Sequence, residues 1–228
     1  MTERRGDTLL FHTPPVIAAQ AAVGGKKEGE GPLHSEFDAV IEDDLFSEET
    51  WEKAESRFHY TAADTCLKKA GATPESVDVT LGGDLLNQIM AASTAAQKLQ
   101  TPFLGIYGAC STMAETLCIG AMLCDGGYAR RALCCASSHF CSAERQYRFP
   151  LEYGNQRPPT SQWTVTGAGA ALLDAAVDGT EVVKADTIEE LAALMGVDAD
   201  TLVKSVETYN TACATGNDTE FGKDASNL

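Results

Sequence analysis

Cys110 is the side chain of this sequence best placed to do chemistry. It stands in Gly108-Ala109-Cys110-Ser111-Thr112, after a short apolar run (Phe103, Leu104, Ile106) bounded by Pro102. Beyond it Met113, Leu117, Gly120, Ala121 and Cys124 recur three or four residues apart. The first spacing predicts a buried strand, the second one face of a helix over 110–125, and Gly126-Gly127 ends that helix. A cysteine at a strand–helix junction sits among unpaired backbone N–H groups and the positive end of the helix dipole, a setting that favours a thiolate and welcomes anions. The Ser111 and Thr112 hydroxyls would add donors for a carboxylate. A free cysteine can equally be a small buried hydrophobe, so both readings of Cys110 stand at this point.

Other polar side chains fall where they could share that crevice. His139 follows a strand predicted over 132–136, and Asp84 and Asn87 follow one predicted over 77–81. Ligands of open parallel sheets bind at the carboxyl ends of the strands. Arg145 lies with Arg148 and Arg157 in a long polar stretch over 140–160, read as a functional loop or a solvated excursion; an arginine there could grip a carboxylate with two parallel bonds or pair with local acids. Lys26 and Lys27, beside glycines, could cradle an anion or simply lie in a solvated loop. Gly167-Ala168-Gly169 is a lone Gly-x-Gly with no helix start after it, so it reads as strand glycine that admits close packing.

The elements that must position these residues follow from periodicity. Residues 9–23 read as extended chain broken at Pro14-Pro15. Ser47 is the expected cap of a helix carrying Trp51, Ala54, Phe58, Ala62 and Cys66 on one face, ended by Gly71. A helix of small residues (Ala91, Ala92, Ala95, Ala96) suits close backbone approach, and residues 163–173 read as a further strand. Strand and helix alternate, which predicts an α/β fold with a mostly parallel sheet and helices on both faces. From Asp186 the character changes. Ile188, Leu191 and Met195 mark one short helix that Asp186 and Glu189 would cap; Leu202, Val206, Tyr209 and Cys213 mark a second, capped by Asp198. Gly196 and Gly216 end them, giving a C-terminal helical hairpin.

The 228 residues carry a net charge of −16. Residues 178–228 hold eleven acids against three lysines, a net of −8, so half of the charge lies in the last quarter. Such acidity argues against nonspecific nucleic-acid binding. The eight cysteines include no Cys-x-x-Cys, and several sit inside apolar runs (Cys118, Cys124, Cys134, Cys135), which reads as reduced thiols and neither a zinc site nor a disulfide framework. No signal peptide and no bilayer-length apolar run is expected.

Residues 7–174 closely resemble the stage V sporulation protein AD family of spore-forming bacteria. The resemblance rests on Lys27-Glu28-Gly29-Glu30-Gly31-Pro32-Leu33, Trp51-Glu52-Lys53-Ala54-Glu55, Gly83-Asp84-Leu85-Leu86-Asn87-Gln88, Gly108 to Thr112, Asp125-Gly126-Gly127, Ser137-Ser138-His139 and Ala143-Glu144-Arg145-Gln146-Tyr147-Arg148. It implies a thiolase-like fold of which this chain carries the first half. It also implies a non-catalytic protein that binds dipicolinic acid (pyridine-2,6-dicarboxylate), free or as its calcium chelate, while the developing spore is loaded. Cys110 then takes the thiolase nucleophile position and lines the pocket. On their own chemistry Ser111, Thr112, His139, Asp84, Asn87 and Arg145 could join it as ligand-binding residues; Asp84 would repel a free dianion but could meet its calcium. Implied partners are other stage V sporulation membrane proteins and a second copy in a homodimer; the implied location is cytoplasmic, peripheral to the forespore inner membrane, and no cofactor is implied.

Residues 182–228 instead resemble the C-terminal part of fumarate-reductase-type flavoproteins, through Ala185 to Leu191, Gly196-Val197-Asp198, Tyr209-Asn210 and Glu220-Phe221-Gly222-Lys223. They carry no dinucleotide phosphate loop. The expected organisation is therefore a sporulation-protein half-domain over 1–177 and an acidic helical tail over 178–228, joined near 174–183 as in a truncated or chimeric gene. Two rivals to the binding reading remain: an acyltransferase of the thiolase or ketoacyl-synthase type using Cys110, and a fragment without function.

Overall fold

A computed structural model describes residues 3–6, 8–86, 88–147, 164–176, 185–217 and 219, the side chains of 3, 5 and 144–147 excepted. The chain divides into two compact units, Met1–Asp178 and Gly179–Leu228.

The first unit opens with an antiparallel pair, β1 (Glu3–Arg5) and β2 (Thr8–Leu10). There follow β3 (Val16–Gly25), the single turn α1 (Lys26–Gly29), β4 (Ala39–Ile41), α2 (Trp51–Lys69), β5 (Val79–Asp84), α3 (Met90–Leu99) and β6 (Phe103–Gly105). Then come α4 (Thr112–Asp125), β7 (Arg131–Ser138), α5 (Phe140–Tyr147) and β8 (Gly167–Asp174). Six strands form one sheet in the order β4-β3-β8-β7-β5-β6. The β3–β4, β5–β6 and β5–β7 ladders are parallel; β8 runs antiparallel to both of its neighbours. The sheet is thus mostly parallel, in keeping with the alternation of strand and helix. A two-bonded ion pair, Arg131 Nε and Nη2 to the Asp174 carboxylate at 2.6 and 2.7 Å, pins the antiparallel β7–β8 pairing at one end.

Side-chain alternation gives the sheet two different faces. Leu133 and Cys135 of β7 and Ala170 and Leu172 of β8 point towards α2, where Phe58, Ala62 and Leu67 complete a buried core. Ala132 and Cys134 of β7 and Leu173 of β8 point the other way, towards Cys124 and Leu117 of α4. Gly120 lets α4 settle on this second face, because a Cβ there would lie 2.8 Å from Cys134 Sγ. The outer side of α4 leaves Met122 exposed, and Leu104, Tyr107 and Tyr128 nearby are exposed too.

Several boundaries differ from the sequence reading. The cap of α2 is Thr50, whose Oγ1 accepts the Lys53 N–H at 3.2 Å; Ser47 lies in the left-handed region at φ 60 and starts nothing. Residues 26–29, expected as loop, close one helical turn. Residues 140–147, expected as the start of a long loop, form α5, and 148–163 lie outside the described residues.

The second unit is a helical hairpin of α6 (Ile188–Met195) and α7 (Ala199–Thr215). Thr187, and not Asp186, caps α6, its Oγ1 accepting the Glu190 N–H at 3.2 Å; Asp198 caps α7, accepting from Thr201 N at 2.8 Å. Gly196 and Gly216 end the two helices at φ 69 and 65, the left-handed close that glycine makes without strain. Among the described residues, no helix is long and apolar enough to cross a membrane.

Candidate functional site

A cavity of about 630 Å³ opens over the α4 face of the sheet, where the strands end. Its floor is a row of small residues in register across three strands: Ala22 of β3 pairs with Gly169 of β8, which pairs with Ala136 of β7. A Cβ on Gly169 would meet nothing within 4 Å, so this glycine leaves the floor flat and open. Thr164, Val165 and Gly167 form a wall; Cys110, Thr112 and Met113 line the cavity from the start of α4, Phe37 and Leu85 contribute apolar surface, and Ser137 and Ser138 of β7 contribute hydroxyls. None of the described lining residues carries a formal charge.

Cys110 lies in a 3-10 turn over Ala109–Ser111 that leads directly into α4, and it is exposed. The turn is reached through Ala109 at φ 51, a left-handed conformation that costs a non-glycine residue ~1 kcal/mol or more. Thr112 is 2% exposed, and its Oγ1 donates to the Ala109 carbonyl at 2.9 Å and accepts the Gly108 N–H at 3.2 Å. Both bonds brace the turn from inside.

The helix start is less receptive to anions than its sequence suggests. The Ser111 and Thr112 N–H groups are taken by the Gly108 and Ala109 carbonyls. Glu115, in the first turn of α4, accepts the Ser111 hydroxyl at 2.6 Å, so a carboxylate of the chain already stands at the positive end of the dipole. Ser111 is turned towards Glu115 and Gly108 and does not line the cavity.

Asp84 and His139 are not at the cavity. Each sits one residue out of phase with the α4 face, and one residue of strand parity is a change of side. Asp84 is 1% exposed, with Oδ1 accepting from Leu86 N at 3.1 Å and Oδ2 from Ala92 N at 2.9 Å; it ties β5 to the start of α3. Burial raises its pKa, against those backbone donors. His139 is fully buried, edge-on to Phe58, with Nε2 donating to the Asp44 carbonyl at 2.7 Å and Nδ1 accepting the Cys141 N–H at 3.2 Å. Both nitrogens are engaged, and burial lowers its pKa. Asn87 lies outside the described residues, as does the side chain of Arg145 on α5.

The same face holds a cluster that the sequence reading missed. Glu55 of α2 is fully buried; its Oε2 accepts from Ser142 Oγ at 2.8 Å and its Oε1 lies 3.4 Å from Ser137 Oγ. Burial, and then the charge of Asp84, pushes the Glu55 carboxyl up to about 8. His59, one turn on and 1% exposed, meets Ser137 Oγ at 3.0 Å, and burial pushes its ring down to about 4. The signal was available: a Glu and a His four apart on the apolar stripe of α2, beside Ala54 and Phe58.

The sequence profile described as "Stage V sporulation protein AD (SpoVAD)" matches residues 5–207. The stage V sporulation protein AD of Bacillus subtilis (strain 168) is 42% identical over 166 residues, 73% of this chain and 49% of the relative. The chain belongs to the stage V sporulation protein AD family. It spans about half the length of that curated relative. The family match runs past the join expected near 174–183 and into α7, and the flavoprotein likeness expected for the tail receives no support.

Solved structures give the fold. The 3-oxoacyl-[acyl-carrier-protein] synthase III of Aquifex aeolicus VF5 superposes with a TM-score of 0.50 at 19% identity, over 71% of this chain and 54% of that one. Xanthomonas campestris OleA H285N gives 0.50 at 15%, over 72% and 57%. The first unit therefore has the α/β fold of the thiolase-like synthases, and at these identities the likeness extends to the fold alone.

Proposed function

We propose that the cavity beside Cys110 binds pyridine-2,6-dicarboxylate as its calcium chelate, without catalysis, in the loading of the developing spore. Family membership supports the sporulation context. The observation that carries the reading is the cavity itself: a flat floor of Ala22, Gly169 and Ala136 under walls with no charged side chain among the described residues. A planar ring lies flat on such a floor. A bare dianion would meet a chain of net charge −16 with Glu115 already at the helix start. A one-to-one calcium chelate is neutral and avoids that repulsion.

Thermal unfolding with calcium dipicolinate, and with dipicolinate plus a calcium chelator, tests this. A ligand at a hundred times its Kd stabilises by about 2.7 kcal/mol, a shift of several degrees for a domain of this size. The shift is expected with the chelate and is lost in Gly169→Leu, whose side chain fills the floor. No shift in the wild type, or an undiminished shift in Gly169→Leu, rejects the reading.

Acyl transfer is the second reading, favoured by an exposed thiol on a strained turn after Ala109. It needs a base within reach of Cys110. Among the described lining residues there is none, and His59 and His139 are buried on the other face. A thioester on Cys110 after incubation with acyl-CoA, seen by mass spectrometry, would favour this reading over binding.

A further inference from the structure

The Lys27 to Leu33 stretch carries part of the family resemblance, yet neither an anion cradle nor a solvated loop describes what its glutamate does. Glu28 Oε1 accepts the backbone N–H of Thr166 at 3.1 Å, across 138 residues of sequence. Thr166 is 3% exposed and is a hub. Its carbonyl accepts the Gly25 N–H at 2.7 Å, and its Oγ1 accepts the Phe140 N–H at 3.0 Å at the start of α5. One residue earlier, the Val165 carbonyl accepts Ser138 Oγ at 2.5 Å. The neighbours of Thr166 (Thr164, Val165 and Gly167) are the cavity wall.

Gly25 makes room for this arrangement. A Cβ there would stand 3.0 Å from Glu28 Oε2 and 3.1 Å from Thr166 Cβ. Glu28 Oε2 is itself buried with no hydrogen-bond partner among the described residues. One carboxylate oxygen therefore holds the wall while the other has no hydrogen-bond partner among the described residues, so what the wall takes from this position is an acceptor.

We propose that Glu28 is a positioning residue for the ligand cavity, a strut that fixes the wall over 164–167 through the Thr166 N–H without lining the cavity. This rests on the cavity being the ligand site. A glutamine keeps the acceptor and loses the charge; an alanine leaves a buried N–H unpaired.

Amide exchange of residues 164–174, with calcium dipicolinate affinity measured on the same proteins, tests the strut. In Glu28→Ala, exchange at Thr166 is expected to rise about tenfold, as the loss of one buried hydrogen bond implies, and affinity to fall in step. Glu28→Gln keeps the acceptor but sets its amide NH2 at the unpartnered Oε2 position, so it is expected to loosen Thr166 less than Glu28→Ala does on both readouts. Should Glu28→Ala not fold, Glu28→Asp, one methylene short of Thr166, takes its place with the same expected rise. Unchanged exchange in the Ala or Asp variant overturns the proposal, and so does a Gln variant as loose as the Ala one. If the wild type binds no calcium dipicolinate while exchange follows the expected order, the ligand reading fails and the strut stands.

Discussion

The two faces of the sheet divide the work in a way that residue type alone reverses. The α2 face holds the groups that look catalytic: Glu55, His59, Asp84 and His139, all at or below 1% exposure and bonded to Ser137, Ser142 or backbone. The α4 face holds the cavity, lined by small and apolar residues, hydroxyls and one thiol; Ser137, which bonds His59 and Glu55, is the lining residue through which the two sides touch. Burying a polar group is costly unless it is hydrogen-bonded, and these four groups already spend their bonds within the chain. The face with fewer polar groups is the one with room.

The strongest way to sharpen this contrast compares two glycines. A Cβ on Gly83 would collide with the Ile106 carbonyl and come within 2.8 Å of Thr112 Cγ2, whereas one on Gly169 meets nothing. Gly83→Ala is expected to cost about 3 kcal/mol or to prevent folding, through overpacking; Gly169→Ala should stay within about 1 kcal/mol, measured by urea unfolding. Equal costs would mean that the floor is not open.

Glu55→Ala comes next. It leaves the Ser137 and Ser142 hydroxyls without their carboxylate and opens space in the core, for an expected loss of about 2–3 kcal/mol. Ligand affinity should change far less than in Gly169→Leu. A variant that keeps its stability but loses the ligand would break the division between the faces.

The pH dependence of stability tests the same cluster more gently. Glu55, about 8 in the fold against an ordinary 4.5, holds its proton where the unfolded chain has released it. Its contribution is complete below about 4.5 and is lost as pH rises through 8. His59, about 4 in the fold against 6.5, has the opposite sign: its contribution is present above 6.5 and is lost as pH falls. The two offset each other between 4.5 and 6.5. From 6.5 to 8 only Glu55 of these two acts, and its share of stability should fall by up to about 1.4 kcal/mol per pH unit. Glu55→Gln should flatten that limb; a limb that persists assigns the fall to other groups.

Cys110→Ser should have the smallest effect, within about 0.5 kcal/mol, as for an exposed position. Cys135, 1% exposed in the α2 core with its thiol pushed well above its usual range by burial, should cost clearly more as serine. Comparable costs for the two would place Cys110 in a packed core and remove it from the cavity.

Much of this was legible along the chain. A short apolar run located β7, period-3.6 spacing located α2 and α4, glycines located the ends of α6 and α7, and the strand–helix junction located Cys110. Where caps were misjudged by one to three residues, as at Thr50 and Thr187, several hydroxyls or carboxylates in a row compete for one helix start, and the backbone geometry chooses among them.

What the sequence determined by itself is most of the elements and the strand–helix junction that carries the thiol, because both depend on spacing between near neighbours; that Cys110 is exposed was decided by the fold. Which polar residues meet was decided only by the tertiary fold. Strand parity sent Asp84 and His139 to the far face, and β8 brought Gly169 between Ala22 and Ala136 and set Thr166 against Glu28. Those encounters join residues far apart in the chain, and which strand pairs with which, and in what register, fixes them.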